Sequence, residues 1–243
     1  MQRYAEQEYG SGGLYQEYIR ARDLKYATFR RRIPVIRQFA TGVRLLDVGC
    51  SCGYFIDVAL QSGFDAHGVE FSERAIAAAS DAARPRIVQG DVNVLDIQRS
   101  ARYDVVTAFD IIEHTLDPVQ FLASLYRALN DRGLVVITTP DTDHILRWLM
   151  GRRWPMLQPF QHTVLFSRKS LPMALEKAGF HVIEITAAQK VLTLDYLMQQ
   201  VRVYLPALTR AYQQAGRILP TRVRTWPLAY NIGEIVVLAR RTE

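Results

Sequence analysis

The chain has 243 residues, 49% of them hydrophobic, and 30 Lys and Arg against 24 Asp and Glu for a net charge of +6. This suits one α/β domain over residues 1–243, with a core large enough to stand alone. No apolar run reaches the ~18 residues of a membrane span, and the first residues lack the apolar stretch of a signal peptide. Two cysteines, Cys50 and Cys52, lie two positions apart, badly placed for a structural disulfide and too few for a metal site. The expectation is a protein of the reducing cytoplasm. The basic balance favours anionic partners, and arginines cluster at Arg30-Arg31-Arg32, at Arg152-Arg153 and from Arg202 to Arg224.

Residues 1–40 read as an N-terminal helical cover: a polar, glycine-containing start, then a helical pattern from Leu14 to Ala40 interrupted at Pro34. The stretch that organises the rest follows. Val43, Leu45, Leu46 and Val48 form a buried-strand run, Gly49 to Gly53 a turn of small residues, and Phe55, Val58 and Ala59 recur at helical spacing. Strand, tight turn and helix make the nucleotide-binding corner of a doubly wound sheet. A dinucleotide fingerprint would need glycine where Ser51 and Tyr54 stand. The turn instead reads D-x-G-x-S-x-G from Asp47, a carboxylate that suits an ammonium-bearing ligand and would repel a phosphate. A second strand, Asp65 to Val69, delivers Glu70. A carboxylate there can accept from both hydroxyls of a ribose, at roughly 1.5–3 kcal/mol per bond.

Ser72 is an N-cap with Glu73 in the first turn, and Ala75, Ile76, Ala79 and Ala83 give a thin apolar stripe. Arg86 to Gln89 is a third strand with Gly90-Asp91-Val92 at its tip, and Tyr103 to Phe109 a fourth that ends at Phe109 and Asp110. Asp117, Pro118 and Gln120 start a helix with Leu122, Leu125 and Leu129 on its buried face. Leu134 to Thr139 is the fifth strand. Ser167 or Ser170 caps a helix that faces inward through Leu171, Ala174, Leu175 and Ala178 and stops at Gly179. Phe180 to Ile185 and Glu234 to Ala239 are the last strands. The alternation predicts an α/β fold: a doubly wound, mainly parallel sheet with helices on both faces.

Two stretches lie outside the 41–140 core frame and read as substrate-side insertions, 141–166 and 187–231. The second carries Leu194, Leu197, Met198, Val201, Leu205 and Leu208 on one helical face, punctuated by Pro206 and Pro220, as a helical cap would. The first carries Trp148, Arg152, Arg153 and Trp154 beside a short helix, Thr142 to Met150. That group can grip an amphipathic or anionic acceptor, rest on a membrane surface, or pack the insertion.

Four motifs, Asp47-Val-Gly-Cys-Ser-Cys-Gly53, Gly68-Val-Glu-Phe-Ser72, Gly90-Asp91-Val92 and Phe109-Asp-Ile-Ile-Glu-His-Thr-Leu-Asp-Pro118, in this order and spacing resemble the class I S-adenosylmethionine-dependent methyltransferases. The resemblance covers roughly Thr41 to Pro140, and more weakly the tail to Arg240. It departs at Ser51, where the family usually has glycine. It implies a Rossmann-like seven-stranded sheet whose seventh strand is antiparallel, and S-adenosyl-L-methionine as cofactor. By the same resemblance Asp47 holds the methionine end, Gly49, Cys50, Ser51 and Gly53 shape the turn, Glu70 and Phe71 meet the ribose, Asp91 and Val92 the adenine, and Phe109 and Asp110 border the site. Tyr9, Tyr15 or Tyr18 could close over it.

Methyl transfer to a hydroxyl needs in-line geometry and a base. His114, just beyond the fourth strand tip, is the first candidate, and His162 and His144 in the insertion are its rivals. If the backbone there is helical, Asp110, Glu113 and His114 share a face as a hard-metal site would, although the reading taken needs no metal. Asp110-Ile-Ile-Glu113 stands where base-amino methyltransferases of DNA carry a proline-rich turn, which argues against flipped-base amino chemistry and makes a nucleic-acid partner the less expected one. The expectation is transfer to a small or lipid-linked acceptor, at oxygen, such as a sugar of a cell-surface polysaccharide. A quinone-type O-methyltransferase, an RNA methyltransferase and a non-catalytic cofactor-binding protein are the alternatives.

Overall fold

A computed structural model describes residues 19–93, 102–158, 160–216 and 218–242. Tyr9, Tyr15 and Tyr18 lie outside the described residues. Helix α1 (Arg22–Phe39) precedes β1 (Arg44–Val48), α2 (Tyr54–Gln61), β2 (Asp65–Glu70), α3 (Glu73–Ala77), β3 (Ile87–Gln89) and β4 (Tyr103–Phe109). Then come α4 (Pro118–Ala128), β5 (Leu129–Pro140), α5 (Ile145–Met150), α6 (Ser170–Lys177) and β6 (Phe180–Ala187). A hairpin-borne cap follows, with β7 (Lys190–Leu192), α7 (Leu194–Val201), α8 (Pro206–Ala215), α9 (Thr221–Thr225) and β8 (Leu228–Tyr230), before β9 (Glu234–Arg241) closes the chain.

Among the described residues the main sheet has seven strands in the order β3-β2-β1-β4-β5-β9-β6. Every neighbouring pair is parallel except those made by β9, which runs antiparallel between β5 and β6. The order reverses between β1 and β4, both of whose tips carry the site residues. That is the switch point where such sheets open a crevice. β1 and β5 are buried on both faces, which explains their near-continuous apolar runs. On one face α1 and α2 pack Phe29, Ile36, Phe55 and Val58 over the sheet. On the other, α4 and α6 pack Phe121, Leu122, Leu125, Leu171 and Leu175.

The caps follow the sequence. Ser72 Oγ accepts from the Ala75 N–H, and Asp117 accepts from the Gln120 N–H with Pro118 behind it. At α6, Ser167 and Ser170 act together: each hydroxyl accepts from the other's backbone N–H, at 3.0 and 2.9 Å.

Four sequence expectations change. Helix α1 runs through Pro34 instead of breaking there, because Phe29, Ile33 and Ile36 anchor both sides of the proline in the core. The insertion helix spans only Ile145–Met150, since His144 has extended backbone and caps it by accepting from the Leu146 N–H. The apolar face from Leu194 to Leu208 is split between α7 and α8 at Pro206. The second insertion opens one residue later than 187, because Ala187 still pairs with Ile235, and it opens and closes on its own two-stranded sheet, β7 with β8.

Candidate active site

The turn after β1 is built on left-handed backbone. Gly49, Ser51 and Gly53 have φ of 71°, 49° and 68°, so Ser51 occupies a conformation that favours glycine. A Cβ on Gly68 of β2 would meet Cys50 Sγ and Ile56 Cδ1, both at 2.5 Å, so that glycine is what lets the turn sit down on the second strand. Glu70 locks the turn from the next strand tip. Its Oε2 accepts from the Ser51 N–H and its Oε1 from the Ser72 N–H, both at 2.8 Å, which leaves further lone pairs for a ligand. Burial pushes the Glu70 carboxyl up, against the pull of those N–H groups. Asp47 is buried and accepts from Thr107 Oγ1 at 2.6 Å, and burial raises its pKa to about 7.

A cavity of about 940 Å³ opens over these groups. Of the residues the sequence selected, it is lined by Asp47, Gly49, Cys50, Ser51, Glu70, Phe71, Asp91, Val92, Phe109, Asp110 and His114. Gly53 does not line it; a Cβ there would meet Ala83 at 2.9 Å, so it seats the turn on the following segment. Asp91 faces the cavity and also closes an Asx turn by accepting from the Asn93 N–H. Burial pushes the Cys50 thiol well up, which leaves it a packing group with no thiolate character.

The opposite wall holds residues that the sequence did not single out as site residues. From α1, Lys25, Thr28, Phe29 and Arg32 project into the cavity at helical spacing. The Arg32 guanidinium lies 4.2 Å over the Phe109 ring, and its Nη1 is buried with no hydrogen-bond partner. Phe109 in turn stands edge-on to Phe55 at 4.9 Å. Burial, helped by Lys190, lowers Lys25 to about 8. From β7, Lys190 Nζ donates to Asp110 at 2.8 Å and to Glu234 at 2.5 Å. Burial opposes both charges, yet this contact and Arg32 hold the Asp110 carboxyl well below the usual carboxylate range. The signal for Arg32 was its place in the Arg30–Arg32 run, on one helical face with Lys25, Thr28 and Phe29. Lys190 had none.

Asp110 has φ 59°, and its other carboxylate oxygen accepts from Thr138 Oγ1, so it braces the β4 tip. The sequence's Asp110, Glu113, His114 set therefore does not assemble. Glu113 Oε2 accepts from Thr139 at 2.9 Å, and burial together with Asp110 pushes its carboxyl well above the usual range. The segment after Gln161 is tied to this turn, since the Thr163 N–H donates to the Glu113 carbonyl at 2.8 Å. That brings the His162 ring edge-on to His114, centroids 4.9 Å apart. Glu113, His114 and His162 each offer a ligand-type atom within 4.8 Å of the others. His114 Nδ1 bonds the Gln161 carbonyl and His162 Nδ1 the Met156 carbonyl, at 2.9 and 2.6 Å, which orients both rings. Burial lowers the His114 pKa to about 4, and burial lowers His162 as well. Of the two, His114 lines the cavity; His162 backs it. His144 is the α5 cap and is not among the residues that line the cavity.

The outer cavity wall is mainly apolar, interrupted by Gln158, Gln199, Gln200, Arg202 and Asn231. Leu146, Met150 and Trp154 come from the first insertion, and Leu197, Val201 and Leu205 from the second. The tryptophan pair is divided: Trp154 is fully buried under the Arg147 guanidinium, whereas Trp148 is 78% exposed.

The profile of the methyltransferase domain family matches residues 15–185. The chain belongs to that family, in its S-adenosylmethionine-dependent class. It is 32% identical over 158 residues to a protein of Mycolicibacterium smegmatis named as a probable S-adenosylmethionine-dependent methyltransferase, covering 63% of this chain and 59% of that one. It is 29% identical over 143 residues to a ubiquinone biosynthesis O-methyltransferase of Bradyrhizobium diazoefficiens, covering 53% and 56%. The chain thus spans under two thirds of the length of these curated relatives. The crystal structure of a SAM-dependent methyltransferase from Archaeoglobus fulgidus shares the fold, with a TM-score of 0.61 at 21% identity over 94% of this chain and 98% of that one.

Proposed function

We propose that this methyltransferase transfers a methyl group from S-adenosylmethionine to a hydroxyl of an acceptor with an apolar, lipid-like portion. One observation carries the reading: a single cavity joins the Gly49 turn, Glu70 and Asp91 at one end to His114 and an apolar insertion wall at the other. The cofactor, when bound, supplies an electrophilic sulfonium methyl that a hydroxyl oxygen takes as it loses its proton. The residues fit that cofactor. Glu70 has lone pairs to spare for ribose hydroxyls, and Asp91 and Val92 border the adenine end. Asp47 offers a carboxylate to the ammonium, and the unpartnered Arg32 Nη1 suits the carboxylate beside it. His114, which lines the cavity and is neutral above about pH 4, is the base proposed to receive the hydroxyl proton. A lipid-linked sugar or a quinone-type ring would each place a hydroxyl beside His114 and its apolar part against α7.

The deciding experiment supplies methyl-labelled cofactor to an extract of cells lacking the gene and partitions the label. Label in the organic phase, lost with His114→Ala and unaffected by EDTA, is the expected result. Label confined to water-soluble sugars or to RNA would remove the lipid-like acceptor. Full turnover by His114→Ala would remove the base.

A further inference from the structure

Positive charge is unevenly placed along the chain. The insertions, 141–166 and 187–231, hold eight arginines and Lys190 against Asp141, Asp143 and Asp195, so the rest has 21 basic residues against 21 acidic. The whole positive balance therefore lies in the two insertions that wall the outer cavity. The same insertions expose apolar side chains at its mouth. Helix α5 turns Leu146 and Met150 into the cavity and leaves Ile145, Trp148 and Leu149 outside, at 58%, 78% and 64% exposure. Across the mouth, Val203 lines the cavity yet is 77% exposed, and Phe160, next to the lining residue Gln161, is 96% exposed.

From this we propose that the mouth of the cavity docks on an anionic lipid bilayer, with Ile145, Trp148 and Leu149 inserted at headgroup depth and Arg152, Arg153 and Arg202 against the lipid phosphates. Aromatic and aliphatic groups beside an arginine-rich rim of net positive charge match the charge and apolarity of such a surface. An RNA partner would meet the arginines but leave Ile145, Leu149 and Val203 in water. The docking rests on the reading of the outer cavity as an acceptor site, because it lets an apolar acceptor pass from bilayer to cavity without crossing water.

The test is sedimentation of the purified full chain with vesicles of phosphatidylcholine alone or mixed equally with phosphatidylglycerol, without cofactor or acceptor. The expected result is at least tenfold stronger binding to the mixed vesicles, weakened by high salt. Trp148→Ala/Leu149→Ala and Arg152→Glu/Arg153→Glu should each lose at least tenfold. Arg84→Glu/Lys177→Glu, equal in charge change but at exposed positions by the opposite ends of the strands, should bind like wild type. Affinity for S-adenosylhomocysteine shows that every variant is folded. Equal binding to both vesicles, binding to neither, equal loss in the control variant, or retention by RNA in place of vesicles would each overturn the docking. Anionic-vesicle binding with no label in the lipid fraction would leave the docking standing and remove the acceptor reading.

Discussion

At the scale of single residues, the site depends on two groups whose pKa values burial displaces. Asp47, at about 7, is the partner proposed for an ammonium, and only its ionised form serves. Below pH 7 a proton must leave before the ligand binds, so affinity for S-adenosylhomocysteine should fall by up to tenfold per pH unit as pH drops. At higher pH the ligand's own amino group loses its proton, which sets an upper limit. Calorimetric titration across this range should show the optimum between the two, and Asp47→Asn should bind more weakly with no fall below 7. An unchanged acid limb in that variant would remove the ammonium assignment. His114 moves the opposite way. Its folded pKa is about 4 against an ordinary 6.5, so between those values the unfolded chain binds a proton that the folded chain refuses. Stability is therefore whole above pH 6.5 and declines as pH falls, by about 2–3 kcal/mol at pH 4 after allowance for partial exposure. Urea unfolding at pH 7 and 5 should show a smaller loss in His114→Gln than in wild type.

At the scale of elements, what the sequence disclosed and what it withheld separate along local and non-local lines. The β1 turn, the Ser72 and Asp117 caps and the Leu122 and Leu125 face of α4 rest on local spacing and could be read directly, whereas Leu129, read as part of that face, opens β5 by pairing with Tyr103 of β4. Pro34 was misread because the burial of Phe29, Ile33 and Ile36 outweighs a missing hydrogen bond, and burial is not local. Arg32 and Lys190 reach the site only because α1 and β7 fold over it. They are joined there: the Val191 N–H donates to Thr28 of α1 at 2.8 Å, and Lys190 bridges β4 and β9. Lys190 therefore fastens the hairpin to the sheet edge, and the sequence around it gave no hint of a buried ion triad. Lys190→Met should cost about 3–5 kcal/mol in denaturant midpoint analysis, because it leaves Asp110 and Glu234 buried side by side without their cation. Adding Glu234→Gln should recover part of that loss. No recovery would mean that the triad acts through packing alone.

At the scale of the whole molecule, the sheet lines one end of the cavity, the end proposed for the cofactor, and the two insertions line the other, the end proposed for the acceptor. No helix among the described residues is long and apolar enough to cross a membrane. The link between the two parts is narrow: β7 and β8 carry everything from Leu194 to Thr225 on a two-stranded stem. The cofactor end uses the tips of β1, β2 and β3 with α1, none of which passes through that stem. Replacing residues 193–227 by a short turn keeps Lys190, its ion pairs and the β7–β8 register. Circular dichroism should then report an intact sheet, and affinity for S-adenosylhomocysteine should stay within about threefold, since loop closure over a shorter span costs little. Methylation of the acceptor should be lost, because Leu197, Val201 and Leu205 no longer wall the cavity. A loss of cofactor affinity comparable to the loss of turnover would mean that α7 and α8 close over the cofactor itself, and the outer cavity would have to be reassigned.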